Sequence, residues 1–114
     1  MDDLIAFLNA RLGEDEAPAN SLFFAARIPD KRPDFTACGG PAAEVYWDHF
    51  NPARVLREVA AKRAILAEYE RVAGSAQAYP NNATITSLGA AQTVVKALGT
   101  VYSDHPDYRG EWAP

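Results

Sequence analysis

The sequence predicts an α+β fold that is mainly helical: an N-terminal helix, a β-hairpin, then two antiparallel amphipathic helices. Apolar residues recur at helical spacing in residues 51–74 and 83–102, which predicts the two long helices. Residues 21–28 and 42–48 instead show the two-residue periodicity of strands, on either side of a segment rich in proline and glycine. An all-α fold is the alternative, because residues 21–28 permit a short helix almost as well as a strand.

The first helix is predicted over residues 2–16. Asp2 and Asp3 lie at its N-terminal end, where acidic side chains interact favourably with the helix dipole. Pro18 follows shortly, and a proline removes a helical hydrogen bond, so we expect the helix to end before it. The apolar side chains of this helix form a narrow stripe: Leu4, Ile5, Leu8 and Leu12.

The hairpin is predicted to join residues 21–28 and 42–48 through a loop at residues 29–41. That loop contains three prolines and two consecutive glycines. Because an isolated two-stranded hairpin is marginally stable in water, we expect it to pack against the helices.

The central helix is predicted over residues 51–74 and has both ends marked. Asn51 can cap its start, Pro52 suits the first helical position, and Gly74 can adopt the left-handed conformation that ends a helix. The apolar residues of this helix cover an arc of roughly 200°, wide enough to pack against two elements.

The last helix is predicted over residues 83–102, and its apolar residues cover an arc of roughly 140°. On the central helix, Leu56, Val59 and Leu66 are expected to be buried between two helices. Glycines within the last helix lower its stability. Because they have no side chain, they would also allow a neighbouring element to approach closely.

Composition limits the classes of function. We expect the 114 residues to form a single domain, 1–114, and the net charge of −4 argues against binding to nucleic acid. The absence of an 18-residue apolar stretch argues against a membrane protein, and the acidic N-terminus argues against a secretory signal, so the cytoplasm is the expected location. The one cysteine, Cys38, excludes an intrachain disulfide, and Cys38→Ser is expected to leave folding intact.

The C-terminal tail, residues 103–114, is the stretch richest in reactive side chains. We expect Tyr108 and Trp112 to dock on the helices and Asp104 to bond to backbone amides in the turn before Pro106. The candidate residues for recognition or tail docking are Asp104, His105, Asp107, Tyr108, Arg109 and Trp112. The alternative is a small metal-assisted hydrolase that uses His49, His105 and nearby carboxylates.

Two segments resemble a family of small actinobacterial and actinophage proteins of unknown function. The first is the helix start at residues 49–56, and the second is a tail of the form Tyr-x-Asp-His-Pro-x-Tyr-x-x-x-Trp at residues 102–112. The chain departs from that family at residues 17–28, where many relatives carry Thr-Pro-Gly-Pro-Trp. Residues 74–82 also lack the cysteine cluster of many relatives, so a metal role inferred for them does not carry over.

We therefore expect a cytoplasmic protein-interaction or regulatory module of phage or actinobacterial origin, with no cofactor. The sequence favours a non-enzymatic role and leaves the metal-assisted hydrolase open. Its expected partner is a protein, either from the host or a second copy of the chain.

Overall fold

The computed structural model describes residues 1–26 and 39–114, and its regular structure there is helical. Four α-helices are followed by two short 3-10 helices: α1 (Asp2–Ala26), α2 (Gly40–His49), α3 (Pro52–Ala78), α4 (Asn82–Gly99), then Thr100–Tyr102 and Gly110–Trp112. No strand occurs in the described residues, so the α+β prediction is wrong and the all-α alternative fits.

Both predicted strands were misassigned. Residues 21–26 belong to α1, and residues 42–48 lie inside α2. Short apolar runs satisfy either periodicity, and the alanine pairs in both runs favour a helix. Gly39 has a left-handed backbone with φ of 91°, and Pro41 occupies an early position of α2, so the turn residues start a helix rather than close a hairpin. Residues 27–38, including Cys38, lie outside the described residues.

Helix α1 continues past Pro18, where the sequence predicted an end. The proline removes one backbone hydrogen bond, but alanine flanks it on both sides and is the strongest helix former. Ala19 is buried, so the segment after the proline also gains from packing.

The start of α3 was predicted correctly and its end was not. The Asn51 side chain accepts a hydrogen bond from the backbone N–H of Arg54 at 3.0 Å, and Pro52 is the first helical residue. The helix then passes through Gly74 to Ala78. Glycine costs only about 1 kcal/mol within a helix, and the break comes instead where Asn81 caps α4.

The chain divides into two compact units, Met1–Leu12 with Ala61–Pro114, and Gly13–Ala60. In the first unit, Leu66 and Val95 are buried, together with Leu4, Leu8 and Leu12 of the predicted α1 stripe. In the second unit Val59 is buried, whereas Leu56 is only half-buried, so its predicted burial is wrong. The expectation of a single domain stays a prediction.

Gly99 permits a close approach within the first unit. A Cβ atom added at Gly99 would lie 3.2 Å from Cδ1 of Leu4 and 3.7 Å from Cε2 of Tyr108. The end of α4 therefore lies against the first turns of α1 and the tail because residue 99 has no side chain.

Candidate functional site

The tail packs around one aromatic ring of α1, Phe7. The centroid of the Phe7 ring lies 5.1 Å from that of Trp112, 5.6 Å from that of His105 and 6.1 Å from that of Tyr108. Trp112 is only 7% exposed. We call Phe7, Arg11, His105, Tyr108 and Trp112 the tail cluster.

Arg11 and His105 form the polar part of the tail cluster. Nη1 of Arg11 lies 2.8 Å from Nδ1 of His105 and also contacts Nε2. The backbone N–H of Asp107 donates to the same Nδ1 at 3.1 Å. Both groups are donors, so this arrangement uses Nδ1 as an acceptor. His105 thus connects the turn of the tail to Arg11, which is 9% exposed.

The remaining candidate residues lie at the surface of the tail. Nη1 of Arg109 lies 3.0 Å from Oδ2 of Asp3, and its guanidinium lies 5.2 Å from the centroid of the Trp112 ring. Asp107 and Asp104 are exposed. The sequence assigned the bonds to turn amides to Asp104, whereas the ring of His105 accepts one of them.

In the described residues, the structure provides no set of metal ligands for the alternative function, a metal-assisted hydrolase. Within residues 1–26 and 39–114, no group of three or more His, Cys, Asp or Glu side chains is placed to hold a metal ion. The imidazole of His105 faces the guanidinium of Arg11, and that positive charge would repel a metal cation.

Sequence reasoning missed a second surface, which lies on α2 and the start of α3. Helix α2 has no buried residue, yet Tyr46 is 66% exposed, Phe50 is 48% exposed and Val45 is also exposed. The rings of Tyr46 and Phe50 stack, with centroids 4.8 Å apart and an interplanar angle of 27°. The guanidinium carbon of Arg54 lies 4.5 Å from the centroid of the Phe50 ring. We call Val45, Tyr46, Phe50 and Arg54 the α2 aromatic surface.

Arg54 is held in place by hydrogen bonds on both sides of the junction between α2 and α3. Its Nη1 donates to the backbone carbonyl of His49 at 2.8 Å, and its Nε donates to Oε1 of Glu58 at 3.1 Å. Tyr46, Phe50 and Arg54 follow one another at four-residue intervals, the spacing of neighbours on one side of a helix, although Phe50 and Asn51 separate α2 from α3. The sequence contained this signal, but the strand assignment for residues 42–48 concealed it.

The fold and these two surfaces define a small all-α protein with a tail packed on its first helix and an exposed aromatic stack. The chain matches a family of unknown function, DUF6221, over residues 1–114, and it belongs to that family. No curated protein and no solved structure matches it. None of the helices in the described residues is long and apolar enough to cross a membrane.

Proposed function

We propose that the protein is a cytoplasmic interaction module of phage or actinobacterial origin that binds a protein partner through the α2 aromatic surface. The observation that carries this proposal is the exposure of Tyr46, on a helix with no buried residue, and of Phe50 directly after that helix. Burying an aromatic ring of this size stabilises by roughly 1.5–3 kcal/mol, and a partner would supply that burial. Tyrosine and arginine are also the residue types that dominate binding energy at protein interfaces.

Charge favours a protein partner over a nucleic acid. Exposed aromatic rings beside an arginine can stack on the bases of a single strand. However, Glu44 and Asp48 are exposed on the same helix, and Glu58 neutralises Arg54. The net charge of −4 would also repel phosphates.

The tail has a supporting role in this proposal. Its aromatic residues pack on Phe7, and His105 contacts the buried Arg11. These contacts favour tail docking over direct recognition for His105, Tyr108 and Trp112. Asp104, Asp107 and Arg109 are exposed on the tail and stay candidates for recognition there.

The proposal can be tested by affinity capture from an actinobacterial lysate with three forms of the full chain. These are the wild type, the double variant Tyr46→Ala/Phe50→Ala and the control Tyr79→Ala, which removes an exposed tyrosine elsewhere. We expect one protein to be retained by the wild type and the control and to be lost with the double variant. Titration of that purified protein should then show affinity reduced about tenfold or more.

Equal capture by the wild type and the double variant would show that the α2 aromatic surface is not the binding site. Circular dichroism of each variant provides the control for folding. Because Tyr46 and Phe50 are both substantially exposed, we expect the helical content to be unchanged.

A further inference from the structure

A groove runs along one side of α3 and α4 in the first unit. It consists of two adjoining concavities of about 490 and 340 Å³ that share Glu68, Ala91 and Val94. Its lining extends from Ala64 to Ser75 on α3 and from Ala83 to Val94 on α4. At a rise of 1.5 Å per residue the α3 side is about 16 Å long, which suits a helix lying along it.

The lining is built largely from small side chains, four of them alanines, with the polar Ser75, Thr84 and Ser87 among them. Ala64, Ala90 and Val94 are exposed, and Val94 has 50% of its surface in solvent. Small side chains allow the axis of another helix to approach closely. The α3–α4 groove is therefore suited to pack against a further helix.

One ion pair lies at the middle of the groove. Arg71 donates to both carboxylate oxygens of Glu68, at 2.8 and 2.6 Å, and both side chains are exposed. The hydrogen bond from Arg71 lowers the pKa of Glu68 below its ordinary value, so both groups are charged at neutral pH. Glu68 lies four residues from the Ala64 end of the lining, and Arg71 lies four residues from the Ser75 end.

Because Glu68 and Arg71 lie symmetrically about the centre of the groove, the groove suits a second copy of the chain. A two-fold axis through the centre of the groove would place Glu68 of one copy opposite Arg71 of a second copy, and Arg71 opposite Glu68. The surface is thus self-complementary in charge, as an interface between identical copies must be. We propose that two copies of the chain associate through their α3–α4 grooves, with the α3 helices antiparallel and the four helices forming a bundle.

The apolar part of the proposal is tested by sedimentation velocity of the full chain over a dilution series. Val94→Glu places a charge in the groove, and we expect it to weaken dimerisation about tenfold or more. Ile85→Glu is the matched control, because Ile85 is an exposed α4 residue, at 59%, that does not line the groove. If Val94→Glu lowers the helical content, Ala90→Glu replaces it.

A wild-type chain that sediments as a monomer up to about 200 μM would overturn the proposal, since association follows mass action. Equal weakening by Val94→Glu and Ile85→Glu would also overturn it. Loss of dimer with Val94→Glu alone supports it.

The charge pairing is tested by reversing each member of the ion pair. Glu68→Arg leaves only positive charge at the centre of the groove and Arg71→Glu only negative charge, so each variant alone should dimerise more weakly. An equimolar mixture of the two variants should recover a mixed dimer, detected by native mass spectrometry. A mixture that associates no better than either variant alone would rule out the two-fold pairing.

This inference does not depend on the α2 aromatic surface. The variant Tyr46→Ala/Phe50→Ala should dimerise like the wild type. If it does not, dimerisation requires a surface other than the groove.

Discussion

Trp112→Ala tests whether the tail stabilises the helical unit on which it packs. The substitution removes the ring that lies 5.1 Å from Phe7, and it also removes the edge contact with Tyr108 at 5.7 Å between centroids. The guanidinium of Arg109 loses the ring beneath it as well. The α-helices themselves are left unchanged in sequence.

The expected loss follows from the burial of Trp112. A buried tryptophan removes about 200 Å² from water, which at 25 cal/mol per Å² corresponds to an upper bound of about 5 kcal/mol. Measured Trp→Ala losses run from about 3 to 5 kcal/mol. Because the tail can detach instead of leaving a rigid cavity, we expect about 3 kcal/mol of unfolding free energy to be lost.

The assay is urea unfolding followed by circular dichroism, which does not depend on the fluorescence of the removed residue. Glu111→Ala is the matched control, since Glu111 is the exposed neighbour of Trp112, and it should change the free energy of unfolding by less than about 0.5 kcal/mol. Deleting residues 104–114 should destabilise at least as much as Trp112→Ala and lower the melting temperature by several degrees.

A loss below about 1 kcal/mol for Trp112→Ala would refute this reasoning. It would mean that the ring of Trp112 is as accessible to water in the folded protein as in the unfolded chain. A truncated protein that melts at the wild-type temperature would lead to the same conclusion.

Four further substitutions probe the packing of the same unit. Leu66→Ala should lower the free energy of unfolding by about 2–5 kcal/mol, since the side chain is buried; a loss near zero in urea unfolding would contradict this. Gly99→Val should cost about 1–3 kcal/mol because its side chain meets the buried Leu4, whereas Gly89→Ala, with open space around it, should gain about 0.5–1 kcal/mol. Equal effects at the two glycines, compared by thermal melts, would argue against close packing at residue 99. His105→Ala should lower the melting temperature less than the tail deletion does, since the aromatic packing of the tail remains; an equal loss would make His105 the main anchor.

The long helices could be predicted because their sequence signals are local and repeated. Asn51 and Pro52 mark the start of α3, and the apolar spacing of residues 83–102 persists for five turns. Residues 42–48 were misassigned because seven residues cannot distinguish a two-residue period from a helical one. Pro18 and Gly74 weaken a helix without ending it, so their local preferences were overridden by the segments around them.

The candidate site was predictable only in its residue types. Two aromatic residues in a polar tail indicated docking, and the structure places Trp112 against Phe7. The contact of His105 with Arg11 joins residues 94 positions apart, and no periodicity within either segment signals it. Only the course of the helices brings these two side chains together.

The separation of Phe7 and Trp112 along the chain has a kinetic consequence. Closing a loop of about 100 residues costs roughly 4 kcal/mol of chain entropy, so this contact is expensive to form first. Once α4 lies against Leu4 at Gly99, only the 13 residues from Thr100 to Trp112 still have to be ordered. The aromatic contacts of Phe7 with the tail therefore form only after α1 and α4 have packed together. We expect burial of Trp112 to report the last step of folding in this unit.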